Sequence, residues 1–122
     1  MKTVKSIEVD CSAIEHSRRK KTKITSVHFE KVSRLFRALG DESRLRLLEF
    51  ISRGEACVTE IAMETKEGLS TISQRLRLLR ADGLVKRRRD GKHLYYSLVD
   101  EHVLNLLSNA IEHIQEDSFR RK

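Results

Sequence analysis

Residues 69–98 read LSTISQRLRLLRADGLVKRRRDGKHLYYSL, and the fold turns on this stretch. At its start Ile72, Leu76 and Leu79 recur at spacings of four and three, which predicts a helix from about Leu69 to Ala81 with one buried face. Gly83 closes that helix, because glycine tolerates the backbone conformation at which helices end. The period then changes. Leu84-Val85 leads into Arg87-Arg88-Arg89, and Leu94, Tyr96 and Leu98 alternate on the way back, as in a half-buried strand. Asp90-Gly91 lies between the two runs and is expected to form a type I′ turn, which needs two residues tolerant of positive φ.

Working outward, a short helix is expected around Val58–Thr65 with Ile61 and Ala62 inward. Before it, Asp41 is a good N-cap for a helix whose stripe is Leu45, Leu47, Leu48 and Ile51, ending at Gly54. Earlier still, Phe29, Val32, Leu35, Phe36 and Leu39 share a helical face from Val27 until Gly40 stops it. After the hairpin, Asp100 caps a last helix expected to run to about Asp117. Helix, helix, helix–turn–helix, hairpin, helix is the order of a winged helix domain. The expected class is therefore mainly α (α+β), a winged helix-turn-helix with a two-stranded β-hairpin wing. Residues 1–25, with the basic run Arg18-Arg19-Lys20-Lys21-Thr22-Lys23, read as a tail, 26–117 as the domain and 118–122 as a short C-terminal tail.

The 25 Lys+Arg against 18 Asp+Glu leave a net charge of +7, which favours a polyanionic partner, nucleic acid being the commonest. No apolar run approaches the roughly 18 residues needed to span a bilayer, and Met1–Asp10 has no secretory h-region, so a cytoplasmic protein with no membrane partner is expected. In a reducing cytosol Cys11 and Cys57 suit metal or redox chemistry better than a structural disulfide. With 122 residues the core is modest, and a homodimer would add buried surface. On the 69–81 helix, Ser70, Gln74 and Arg77 oppose the apolar stripe, with Thr71 and Ser73 flanking and Arg75 nearer the edge. Hydroxyls, an amide and arginines suit base edges and phosphates of double-stranded DNA. Arg88, Arg89 and Lys92 at the hairpin tip would lie on the neighbouring minor groove or its phosphates.

Phe36-Arg37-Ala38-Leu39-Gly40-Asp41-Glu42-Ser43-Arg44-Leu45-Arg46-Leu47-Leu48 resembles the F-x-x-L-(A/G)-D-x-x-R-L-R-L-L segment of the ArsR/SmtB family of metal-responsive repressors. Ser70–Arg80 resembles that family's recognition helix and Gly91–Leu98 its wing, so the likeness spans roughly Val27–Glu116. One departure is Lys66-Glu67, where the family usually has a small and an apolar residue in the helix–turn–helix turn. The resemblance implies a homodimer that binds operator DNA and lets go when a heavy-metal ion binds, derepressing metal-resistance or efflux genes.

It also implies where the metal goes. Asp100, His102, His113 and Glu116 match the family's zinc ligands on the last helix, and two imidazoles with two carboxylates are a reasonable donor set for Zn(II). His102 and His113 fall about 20° apart around the helix but about 16 Å apart along it, so one helix cannot gather all four. Two antiparallel copies can, with the dyad near Leu107 and Leu106, Asn109 and Ala110 on or beside the seam. Glu55-Ala56-Cys57-Val58-Thr59-Glu60 resembles the family's E-L-C-V-x-D segment, and members that bind thiophilic metals there draw further ligands from the N-terminal tail. Here those would be Cys11 and His16, joining Cys57 and Glu60; Thr59 stands where some cadmium and lead sensors have a second cysteine. Zn(II) is the leading expectation, with Cd(II), Pb(II), Cu(I) or Co(II) as the alternatives. Two competing readings are a thiol redox-sensing repressor switched by Cys11 and Cys57, and a metal-buffering protein. No nucleophile–base signature and no phosphate-cradling glycine loop is present, so neither an enzyme nor a small organic substrate is expected.

Overall fold

The computed structural model describes residues 19–120, the last four of these as backbone alone. Helices α1 (Ser26–Leu39) and α2 (Glu42–Ser52) lead to a short strand β1 (Ala56–Cys57) and to α3 (Val58–Thr65) and α4 (Leu69–Ala81). Strands β2 (Val85–Asp90) and β3 (His93–Leu98) follow, then α5 (Glu101–Arg120). This is a winged helix-turn-helix. The expected order of helices and hairpin is present, and α5 runs three residues beyond Asp117.

Local chemistry sets the boundaries. The Thr25 hydroxyl accepts the His28 N–H at 3.2 Å to start α1. The Asp41 carboxylate accepts the Arg44 N–H at 3.0 Å and the Ser43 hydroxyl at 2.8 Å to start α2. Arg44 then reaches back, donating to the carbonyls of Ala38 (2.8 Å) and Arg37 (3.2 Å) at the end of α1, the second of which also accepts the Gly40 N–H. Between α3 and α4 the chain turns through Lys66 at φ 60°, and Glu67 ion-pairs with Arg75, so the Lys66-Glu67 departure is accommodated by a left-handed residue and an ion pair.

Leu47, Leu48 and Ile51 of α2 meet Ile61 of α3, Ile72, Leu76 and Leu79 of α4, Leu84, Val85 and Tyr96 of the hairpin, and Val103 and Leu107 of α5 in one core. Leu45 is a correction. It is 39% exposed, because the core reaches α2 from the side that Leu47, Leu48 and Ile51 cover. On α1 the expected face also divides. Leu35 and Leu39 pack on the core beside buried Ala38, whereas Phe29, Val32 and Phe36 are about half exposed.

The sheet corrects two further expectations. It has three antiparallel strands in the order β1-β3-β2, since Ala56 pairs with Tyr96 and Cys57 with Tyr95. The hairpin's turn is displaced by one residue. Asp90 pairs with His93, leaving Gly91-Lys92 as the loop, with positive φ at Gly91 (65°) alone. Glycine first with one positive φ is the pattern of a type II′ turn, not the type I′ expected at Asp90-Gly91. Asp90 can keep its place in the ladder because Gly91 alone supplies the unusual conformation.

Candidate nucleic-acid interface and metal ligands

Burying Ile72, Leu76 and Leu79 turns the opposite face of α4 outward. Ser70, Thr71, Gln74 and Arg77 are exposed on it and Ser73 is half-buried. The Arg77 guanidinium donates to the Gln74 amide oxygen at 3.4 Å, which holds the pair side by side. Leu69 and Leu78 are also about half exposed on this helix, a feature the reading of the apolar stripe did not anticipate. Arg75 is placed differently from the other arginines. It is half-buried against Glu67 on the flank of α4 and borders a cavity with Leu45, Phe50 and Ile111.

Across the hairpin Arg89 and Lys92 are exposed, and among the described residues neither has an ion-pair partner. With Ser73 and Leu69 of α4 and Cys57 and Thr59 at the start of α3, they line a groove of about 240 Å³. The groove joins the exposed face of α4 to the wing. Arg88, expected at the tip with them, is instead held back over the sheet by Glu55, at 2.8 Å through two hydrogen bonds. Nothing in the local sequence announces that pair, because its members are 33 positions apart.

Cys57 is the residue from which α3 starts, and its sulfur lies 3.0 Å from the Thr59 hydroxyl. The Thr59 hydroxyl first, and the Glu60 backbone N–H second, hold the thiol below its ordinary pKa, against the opposing carboxylate of Glu60. Cys11 and His16 lie outside the described residues. On α5, Asp100 is the cap. One of its oxygens accepts the Val103 N–H at 3.1 Å and the other lies 3.7 Å from Nδ1 of His102. His102 is 95% exposed, and His113 and Glu116 are exposed further along the same helix. Among the described residues of one chain, no three His, Cys, Asp or Glu side chains come together around a point where an ion could sit.

The apolar stripe of α5 continues past the core. Val103 and Leu107 are buried, but Ile111 is 40% and Ile114 64% exposed. Leu107 itself is buried in its own chain's core, while Leu106 is half-buried and Asn109 and Ala110 are exposed beside it. Among the described residues no helix is long and apolar enough to cross a membrane.

The family model described as bacterial regulatory protein, arsR family, matches residues 41–87, from the cap of α2 into β2. A transcriptional repressor SmtB homolog from Synechocystis sp. is 45% identical over 87 residues, which are 71% of this chain and 66% of that protein, just under two thirds of its length. A cadmium resistance transcriptional regulatory protein CadC homolog from Staphylococcus aureus is 41% identical over 86 residues, 70% of this chain and 71% of that one. Among solved structures, the homodimeric winged helix-turn-helix DNA-binding domain of a possible ArsR-family transcriptional regulator from Mycobacterium bovis superposes with a TM-score of 0.73. It shares 31% identity over 80% of this chain and 91% of that one.

Proposed function

The chain belongs to the ArsR/SmtB family of bacterial regulatory proteins, and from that premise we propose that it is a homodimeric repressor released from operator DNA by a heavy-metal ion, Zn(II) first. The observation that carries the reading is α5. Asp100 and His102 stand at one end and His113 and Glu116 at the other, on a helix whose apolar stripe outruns its own core at Ile111 and Ile114. A second copy of the chain, packed antiparallel, covers the stripe and brings each half-set of ligands to its complement. Imidazole and carboxylate donors then suit a closed four-ligand ion.

In this reading Ser70, Thr71, Ser73, Gln74 and Arg77 present α4 to base edges in the major groove, Arg75 steadies the start of α4 through Glu67, and Arg89 and Lys92 meet phosphates. The two recognition helices of a dimer would engage half-sites about one helical turn, roughly 34–36 Å, apart. The test is to titrate the protein bound to a labelled operator with Zn(II), Cd(II), Cu(I) and As(III) and follow DNA release. Release by Zn(II) supports the proposal; a complex indifferent to all four ions removes it.

A second reading is favoured by Cys57. Its activated thiol borders the groove shared with Arg89, Lys92 and Ser73, so a soft ion held by Cys57 and Glu60 with Cys11 and His16 would sit beside the DNA-facing surface. The two sites are separable, because thiolate selects softer ions than imidazole and carboxylate do.

A further inference from the structure

In the wing β2 pairs along its full length with β3 alone, and it forms one of the two edges of the sheet. The register places Arg88 opposite Tyr95 and Tyr95 opposite Cys57, so these three side chains stand in one row on the sheet face away from buried Ala56 and Tyr96. Along that row Arg88 is held on several sides. Its Nε and Nη2 donate to the two oxygens of Glu55, each at 2.8 Å, in the fork geometry that suits guanidinium and carboxylate. Its Nη1 lies 3.9 Å from Asp90, and its guanidinium carbon sits 4.7 Å from the centre of the Tyr95 ring. Glu55 belongs to the segment before β1 and Arg88 to β2, so the pair reaches over β3 and joins the two outer strands of the sheet. Its neighbours Arg87, Arg89 and Lys92 have no ion-pair partner among the described residues.

We propose that Glu55, Arg88 and Tyr95 form a clamp across the outer face of the sheet that sets the pose of the wing on DNA, making Arg88 a positioning residue and not a phosphate contact. A hairpin with a basic tip has a strong field but a soft attachment. Fixing β2 to the β1 side restricts its twist, so Arg89 and Lys92 reach the backbone already oriented. The inference rests on the reading that the chain binds DNA through its wing.

The two roles for Arg88 give opposite signs when Glu55 is neutralised. If Arg88 served phosphates, Glu55→Gln would free a cation, remove an anion and tighten binding. If the clamp holds, the same change weakens binding although the protein becomes one charge more positive. The experiment measures anisotropy of a labelled random-sequence duplex with metal-free protein over a salt series. We expect Glu55→Gln to weaken binding about three- to tenfold. Arg88→Lys, which keeps the charge but loses the fork, should match it, and the double variant should be no weaker than either single one. Glu55→Asp, which keeps the charge but shortens the reach, should weaken binding in the same direction. Amide hydrogen exchange without DNA should quicken in β2 of Glu55→Gln while α2 and α4 keep wild-type protection, a readout that remains if a variant binds too weakly to measure. Equal or tighter binding by Glu55→Gln, or wild-type binding by Arg88→Lys, overturns the clamp. Failure of the wild-type protein to bind any duplex at low salt overturns the DNA reading and the clamp with it.

Discussion

Asp41 does two jobs at the start of α2, accepting the Arg44 N–H that the helix leaves free and the Ser43 hydroxyl, and both contacts are stronger to its ionised form. The Ser43 hydrogen bond first and the Arg44 N–H next hold its carboxyl below the usual range. A depressed folded value gives stability that is fully present above the unfolded pKa and is lost as pH falls through the folded one. Asp41→Ala should therefore lower Tm at neutral pH by about 5 °C and flatten the acid side of a Tm-against-pH curve. Asp41→Asn should keep most of the cap but also lose the acid-side slope. An unchanged slope in both would exclude Asp41 as its source. Cys57 follows the same logic with a thiol. Because the Thr59 hydroxyl is the main cause of its lowered pKa, Thr59→Ala in a Cys11→Ser background should move the pH midpoint of Cys57 alkylation upward. An unmoved midpoint would assign the activation to the backbone N–H groups of Glu60 and Thr59 at the head of α3.

Among the elements, α4 and the wing divide the labour of binding in the proposed reading, so the two should fail in different ways. Gln74→Ala and Arg77→Ala remove side chains from the outward face of α4 and should erode preference for operator over random duplex by about ten- to a hundredfold. Arg89→Ala should weaken binding to every sequence and reduce the slope of log K against log salt by about 0.9. Identical behaviour in competition binding across a salt series would refute that division. The helices themselves were legible because each carries part of a local signal: a cap such as Asp41, a stripe such as Ile72, Leu76 and Leu79, or a stop such as Gly83. Features set by distant partners were not. Leu45 carries the helical period yet is exposed, since periodicity marks an apolar face without saying where the core ends. β1 is two residues long, too short for any alternation, and exists only because β3 is beside it. The turn slipped by one residue because Asp-Gly and Gly-Lys both offer a glycine, and the ladder decides which residues form the loop. Arg88 reads as one more basic wing residue until Glu55 is placed beside it.

At the scale of the whole molecule, the candidate zinc ligands are complete only in a dimer, so assembly and sensing are one question. The outward half of α1, with Phe29, Val32 and Phe36, and the overhanging end of α5 expose more apolar surface than one small core uses, so a dimer is expected with or without metal. A monomer at micromolar concentration by sedimentation would remove the dimer and the shared site together. Given a dimer, metal on α5 bridges the subunits and can change the spacing of the two α4 helices, whereas metal at Cys57 can be taken up locally. Whatever factor metal takes from DNA affinity, DNA must take from metal affinity. A ligating histidine usually passes its other ring N–H to a carboxylate or carbonyl, which makes His113, far along α5, our candidate relay into the DNA-reading half. His113→Gln should therefore abolish Zn(II)-driven release while leaving metal-free DNA affinity nearly intact. Cys57→Ser should keep Zn(II) release but weaken the response to Cd(II) or Cu(I), because those softer ions prefer a thiolate ligand. Anisotropy of labelled operator with each variant, metal-free and metal-loaded, separates the two. Loss of Zn(II) release in Cys57→Ser with its retention in His113→Gln would move the sensor from the helix ends to the thiol, and α5 would then be an interface without a switch.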